Sequence, residues 1–445
     1  MTDIPEFSGP ETRKSYYNFP RSLSKMSEVF YRAYSLVKLS CCEANYELGY
    51  LNEEIFKVLY AVLEKMAHGE YYELFITDPF QGGAGTSTNM NINETACFYS
   101  NSMLKEFGSS EKVSALEHVN LHQSTNDTYP TAVRIALLMY LEKFENVLED
   151  LLQTLQKLEH ENWKVVKTGR TQLTDALPCT MGQEFGSWSQ IISRDRWRVF
   201  KARERIRQLN LGGTAIGTGI TAPRKYIFRV IEKLRTNTSF PVSRVENMFE
   251  ATQNHDDLLE AFSMAGVAAV NLEKISMDLR RMHLLGEVTL PTVQMGSTVM
   301  PGKVNPVIPE MMSICAKKVI SSKVFIEMCL SSGEFELNAF LPAAAHTIFE
   351  NMELLIQGVV LLNEKCLKFL KVNEENCRLH LLSSVSTTAV LIPEIGYEKA
   401  ALVAEYMSRE KCDIRKAVAA LGYCSIETLE KALEPSKLIS ARPLK

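Results

Sequence analysis

Apolar residues recur every three or four positions over several unusually long stretches of this chain. Leu137, Leu141, Phe144, Leu148, Leu151, Leu155 and Leu158 form one such stripe, which predicts a single helix over residues 130–160. Pro130 suits the first turn of that helix, where no backbone donor is needed. The same spacing predicts helices over residues 178–209, 255–284, 306–330 and 342–370. Shorter helical patterns cover 26–66, where Val29, Tyr34 and Val37 are followed by Leu51, Ile55, Leu59 and Leu63. Beyond residue 372 the pattern shortens again, with helices expected over 398–409, 414–421 and 426–433. Residues 288–293 read as a short extended piece. Five long helices separated by polar, glycine-bearing segments predict an all-α protein built on a helix bundle.

The helix expected around 256–280 is apolar over much of its circumference: Leu258, Leu259, Phe262, Met264, Ala265, Val267, Ala268, Val270, Leu272 and Ile275. One partner helix cannot bury so wide a face, and self-association is one way to supply further partners. The pattern divides the chain into a mainly helical amino-terminal domain (1–120), a central long-helix bundle (121–372) and a small helical carboxy-terminal domain (373–445).

Composition narrows the function classes. Hydrophobic residues make up 46% and charged residues 23% of 445, with a net charge of −4, so no basic surface argues for nucleic acid. No apolar run is long enough to span a membrane. Residues 1–10 lack the basic region and apolar core of a signal peptide, and the cytoplasm is the expected compartment. The ten cysteines show no CxxC pair and no grouping with histidine, so neither a structural metal nor a disulfide framework is expected.

Candidate chemistry sits between the helices. Gly296-Ser297-Thr298-Val299-Met300-Pro301-Gly302-Lys303-Val304-Asn305-Pro306 is a donor-rich loop at the start of a long helix. Such a place suits a bound carboxylate or phosphate, because free N–H groups and the helix dipole favour negative charge. The Walker A spacing is absent. Gly82-Gly83-Ala84-Gly85-Thr86-Ser87-Thr88-Asn89-Met90-Asn91-Ile92-Asn93-Glu94 reads as a polar loop feeding a helix: either a simple cap or a row of hydroxyls and amides for a small polar substrate. Further polar loops are His118 to Asp127, Thr168 to Ala176 and Leu211 to Gly219. The last lacks the strand, turn and helix context of a dinucleotide loop.

Seven segments, these five among them, resemble in order along the chain the signature loops of the fumarase/aspartase superfamily. They are Gly9 to Phe19, Gly82 to Glu94, His118 to Asp127, Gly169 to Ala176, Gly212 to Gly219, Gly296 to Pro306 and Gly333 to Asn338. Gln294 ahead of the serine loop and Val307-Ile308-Pro309-Glu310 after it are most similar to the aspartate ammonia-lyase branch. The chain departs from the pattern at Lys14 (usually arginine), at His122 (usually serine), at Met295 (usually alanine) and in a shortened 281–289 connection. His122 is either a benign exchange or a change in what the pocket accepts.

The resemblance implies a three-domain, all-α homotetramer in which each active site draws on three subunits, with no metal and no organic cofactor. It implies Ser297 as the general base and Lys303 as the partner of the carboxylate that gains charge. Thr86, Ser124, Thr125, Asn126, Thr171, Gln172 and Asn305 then surround a small dicarboxylate or amino-acid substrate. Glu310 reads either as a supporting group or as a first-turn acid that complements the helix dipole. Without the resemblance, Ser297 reads as a hydroxyl that stiffens a loop. The expected reaction is reversible loss of ammonia from L-aspartate to give fumarate through an aci-carboxylate. The alternatives are class II fumarate hydratase, a lyase for an N-substituted aspartate and a non-catalytic structural relative.

Overall fold

The computed structural model describes residues 8–22 and 24–438. Helices dominate: α1 (Pro10–Asn18), α2 (Glu28–Glu47), α3 (Glu53–Ala67), α4 (Thr86–Glu106), α5 (Thr125–Glu161), α6 (Met181–Arg205), α7 (Arg224–Thr238), α8 (Met248–Gln253) and α9 (Asp256–Leu284), followed by α10 (Val307–Leu330), α11 (Leu341–Lys365), α12 (Glu374–Ser383), α13 (Ile392–Ile395), α14 (Tyr397–Glu410), α15 (Ile414–Leu421), α16 (Ile426–Ala432) and α17 (Pro435–Leu438). Among the described residues the strands form three two-stranded pairs. Antiparallel β1 (Val166–Thr171) and β2 (Thr174–Thr180) make a hairpin, β3 (Gln208–Leu209) runs parallel to β4 (Ser243–Arg244), and β5 (Val288–Thr289) is antiparallel to β6 (Lys371–Val372).

All five long helices expected from periodicity are present, with ends that differ by a few residues. Two differences have clear causes. Helix α5 begins at Thr125, so Pro130 lies inside it. The missing Pro130 N–H leaves the Asn126 carbonyl free, and the Asn210 side-chain amide donates to it at 3.0 Å, which offsets the lost helical bond. The second difference is the stretch expected as a loop at 168–176, which is the tip of the β1–β2 hairpin. Its turn residues Gln172 and Leu173 both have positive φ, 54° and 61°, the geometry of a two-residue hairpin turn. Thr174–Thr180 therefore belongs to β2, and α6 starts at Met181 instead of Pro178. Helix α7 is not among the helices expected from the sequence, although Tyr226, Val230, Ile231 and Leu234 form a regular buried stripe along it; α8 and α12 bury only two residues each.

The chain folds into two compact units. The first comprises residues up to Asn146 with Trp197–Ala269 and Lys317–Ile356, and the second Val147–Arg196, Val270–Ala316 and Gln357 onward. Each of the five long helices contributes a stretch to both. In the first unit an aromatic cluster forms part of the core, with the Phe30 ring 5.2 Å from Tyr129 and 5.4 Å from Phe349. Buried Arg134 of α5 makes a two-pronged pair with Asp257 of α9 at 2.8 and 2.9 Å, and Arg203 of α6 reaches Glu142 and Glu145 of α5.

In the second unit the Asn271 amide of α9 donates to the fully buried Asp195 carboxylate of α6 at 2.8 and 2.9 Å. The small carboxy-terminal helices have their own apolar centre of Val403, Met407, Ile414, Val418 and Leu429. Caps close several helices: Ser27, Asn52, Asn373, Asp413 and Ser425 each accept a first-turn N–H, worth about 1 kcal/mol apiece. Among the described residues no helix is long and apolar enough to cross a membrane.

Candidate active site

The candidate residues fall into two sets, one in each unit. In the first unit Thr86 opens α4 and is exposed, with its N–H on the Gly83 carbonyl. Gly85 precedes it at φ 90°, and a Cβ there would lie 2.4 Å from the Tyr129 ring, so only glycine brings the loop so close to the aromatic core. Ser124, Thr125 and Asn126 form the start of α5. The Ser124 hydroxyl accepts from the Asn126 N–H at 3.2 Å, and the Asn126 amide donates to the Ala215 carbonyl at 2.8 Å. Thr125 is nearly buried, and its hydroxyl accepts from the Asn89 amide at 3.0 Å.

What aligns these loops is Asp127, a residue without a role in the sequence reading. One carboxylate oxygen accepts the Ser124 N–H at 3.0 Å, and the other accepts the N–H groups of Gly212 and Thr214 at 3.1 and 3.0 Å. The glycine-rich 211–219 segment is thereby fastened to the start of α5. Burial pushes the Asp127 carboxyl up to about 6, while the three N–H donors and Lys38 pull it down. Its sequence signals were its place at the end of the 118–127 segment and a capping pattern, an acid three residues after Ser124.

His122 lies apart from this set. Its backbone is left-handed at φ 60°, a conformation histidine tolerates better than most residues. The ring nitrogen Nδ1 is 2.7 Å from Asn45 Oδ1, and the ring packs against Tyr50 and Tyr226 at 4.6 and 5.3 Å. Burial lowers its pKa. None of its hydrogen-bond or ring partners is a candidate site residue.

In the second unit the 296–305 loop closes on itself. Asn305 Nδ2 donates to the Gly296 carbonyl at 2.6 Å. A Cβ at Gly296 would sit 1.9 Å from the Lys303 carbonyl oxygen, so the closure requires glycine. Ser297 Oγ accepts from the N–H groups of both Val299 and Met300, at 3.1 and 2.9 Å. Residues 292–304 curl around a hollow of about 730 Å3. Lys303 is exposed, and among the described residues no carboxylate stands within ion-pair distance of it. Glu310, in the first turn of α10, is 3.6 Å from Arg280 of α9.

Thr171 and Gln172 are exposed at the tip of the hairpin. Its first strand is anchored by charge: fully buried Glu287 takes Arg170 at 2.6 Å and Lys167 at 3.3 Å. Glu287 also immediately precedes β5, which leads into the serine loop. The first set offers hydroxyls and amides, and the second offers hydroxyls, amides, one unpaired ammonium and a serine oxygen supplied with N–H donors. Each of these sets suits a small anionic ligand. Among the described residues no group of three His, Cys, Asp or Glu is arranged to hold a metal ion.

Comparison with known proteins gives a consistent picture. The family profile described as "Lyase" matches residues 3–321, and that described as "Fumarase C C-terminus" matches residues 388–440. An aspartate ammonia-lyase from a Bacillus species is 34% identical, covering 98% of this chain and 95% of its own. A class II fumarate hydratase from Staphylococcus epidermidis is 32% identical, covering 98% and 96%. Among solved structures, a fumarate lyase:delta crystallin from Brucella melitensis bound to cobalt superposes with a TM-score of 0.91 at 34% identity, over 99% of this chain and 97% of that one.

Proposed function

Because the chain belongs to the fumarase/aspartase superfamily of lyases, we propose that it splits L-aspartate reversibly into fumarate and ammonia, with Ser297 as the base. The family establishes a lyase reaction on a dicarboxylic substrate; the leaving group and the residue roles are our reading. The observation that carries it is the pair of N–H groups, from Val299 and Met300, aimed at Ser297 Oγ. A serine hydroxyl is a poor base, but two preorganised donors stabilise its alkoxide in the way an oxyanion hole stabilises a developing negative charge.

In the forward direction Ser297 Oγ removes a proton from the methylene carbon of aspartate. The electron pair moves into the adjacent carboxylate, giving a doubly charged aci-carboxylate beside the Lys303 ammonium. That pair then returns to form the carbon–carbon double bond as the carbon–nitrogen bond breaks. Ammonia leaves with the electrons of the broken bond, and fumarate remains. Ser124 and Thr125 hold oxygens of the other carboxylate, while Thr86, Asn126, Thr171 and Gln172 surround that carboxylate and the amino group. The neutral Gln172 amide oxygen accepts from an ammonium, which a protonated histidine cannot do. Asn305 keeps the loop closed through Gly296.

The homotetramer with shared sites is part of the same proposal. Ile314, Val324 and Met328 of α10 are 68%, 59% and 63% exposed, and Val270 of α9 is 54% exposed. Apolar helix faces of this extent call for further subunits.

Loss of water from malate is the second reading, favoured by the fumarate hydratase relatives. Gln294 and the Val307 to Glu310 run support aspartate. Fumarate absorbance with the purified protein, offered aspartate, malate and N-substituted aspartates at matched concentration, decides between them. Aspartate turnover below that of any other compound overturns the leaving group. Ser297→Ala tests the base: turnover drops more than tenfold with tetramer and succinate binding retained, because the lost interaction belongs to the transition state. Retention of more than a tenth of the rate rules serine out.

A further inference from the structure

Lys38 is the most unusual group in the first unit. It lies on α2, is fully buried, and no carboxylate among the described residues stands within ion-pair distance of it. Its ammonium donates instead to Gln123 Oε1 at 2.8 Å and to Asn120 Oδ1 at 3.2 Å, and lies 5.6 Å from the centre of the Tyr34 ring. A buried cation without a counter-ion is costly unless its surroundings are built for it, and here they are.

Asn120 Oδ1 accepts three donors at once: Lys38, Asn89 Nδ2 at 3.1 Å and Asn93 Nδ2 at 3.2 Å. The same Asn89 nitrogen donates to Thr125 Oγ1, and its carbonyl oxygen accepts from the Tyr34 hydroxyl at 3.0 Å. Asn120 Nδ2 returns to the Gln123 carbonyl at 3.2 Å. An amide oxygen that receives an ammonium and two amide N–H groups is strongly polarised. The whole 120–125 turn is thus wired to one cation, and that turn delivers Ser124, Thr125 and Asn126.

We propose that Lys38 is a positioning residue of the substrate site: its ammonium fixes the 120–124 turn so that Ser124, Thr125 and Asn126 meet a substrate carboxylate, and its buried charge draws the dicarboxylate there. This rests on the reading of those three residues as carboxylate-holding. Lys38 touches no substrate atom; it acts through Asn120 and Gln123. The charge is adjustable, since burial pulls the Lys38 ammonium down to about 7, with Asp127 and Cys41 opposing. The titratable groups facing it are Tyr34 and Cys41 on its own helix, Asp127 at the start of α5, and Tyr226 of α7, which bonds Cys41. Burial raises the pKa values of Tyr34, Tyr226 and Cys41, whereas Asp127, at about 6, titrates next to Lys38 and is coupled to it, so the comparison with Lys38→Met assigns the lysine's share of any pH dependence.

The test is calorimetric binding of succinate, a dicarboxylate that cannot react, to the full-length protein between pH 6 and 9. Wild-type affinity falls as pH rises through about 7, and Lys38→Met weakens binding about tenfold at pH 6.5 and flattens that fall. Lys38→Arg, which keeps the charge, stays within about threefold of wild type at pH 6.5 and loses the fall as well, because arginine does not titrate there. Lys38→Met binding as tightly as wild type, or with the same pH fall, overturns the proposal. If that variant does not fold, wild-type affinity that is flat from pH 6 to 9 overturns it. Absence of succinate binding to wild type at any pH overturns the carboxylate reading of Ser124 to Asn126 as well, which separates the two failures.

Discussion

Asp127→Asn changes one atom's chemistry and almost no volume, yet the geometry around Asp127 predicts a clear loss. Both carboxylate oxygens accept N–H groups, one from Ser124 and one from Gly212 and Thr214 together. Asparagine has a single oxygen, so in either flip its NH2 faces at least one N–H. The better flip keeps Gly212 and Thr214 and sets donor against donor at Ser124. Losing one charge-assisted bond costs about 1.5–3 kcal/mol, and the opposed donor about 1–3 more. Against this, the neutral side chain escapes the desolvation that pushes Asp127 up to about 6. The acceptor loss outweighs that relief at pH 7 by about 1–3 kcal/mol, since the two surviving bonds also weaken once the charge is gone.

The expected readouts are a lower urea midpoint at unchanged slope and a fall of at least tenfold in kcat/KM, because the 211–219 segment is no longer fastened to the start of α5. The sign of the pH effect follows from linkage. The folded carboxyl titrates above its unfolded value, so its contribution to stability is fully present below about 4 and is lost as pH rises through about 6. Asparagine does not titrate, and the wild-type margin over D127N therefore widens by about 1 kcal/mol between pH 7 and pH 5. A D127N protein as stable and as active as wild type at pH 7 refutes the argument.

Two further substitutions probe the second unit. Gly296→Ala places a methyl group 1.9 Å from the Lys303 carbonyl oxygen, so the Asn305 closure opens; activity falls at least a hundredfold while the thermal midpoint moves little, because the loop is exposed and carries no core residues. Leu173→Gly relieves a left-handed leucine at φ 61° that is 75% exposed; it leaves stability unchanged or raises it by up to about 1 kcal/mol, and a loss of more than about 1 kcal/mol in unfolding free energy by urea titration contradicts the turn assignment.

The long helices and the composition of the loops were legible in the sequence because both are local properties. A stripe such as Leu137 to Leu158 repeats within one turn, and a run such as Gly296 to Pro306 carries its glycines, hydroxyls and lysine within a few residues of one another. The β1–β2 hairpin escaped notice because Thr171-Gln172-Leu173-Thr174 has no glycine or asparagine at its turn, and only the folded chain holds Gln172 and Leu173 at positive φ. Lys38 and Asp127 escaped for a different reason. A lysine in a helical stripe reads as an exposed charge until its neighbours are known, and those neighbours are distant in sequence: Lys38 finds Asn120 82 residues on, and Asp127 finds Gly212 85 residues on. The partners of Ser297 Oγ and of His122 were likewise decided by backbone geometry and packing. Periodicity and loop composition specify which elements form and what chemistry they carry. The desolvation of a charge and the N–H groups that meet it depend on which segments the tertiary fold brings together, and no local pattern encodes that.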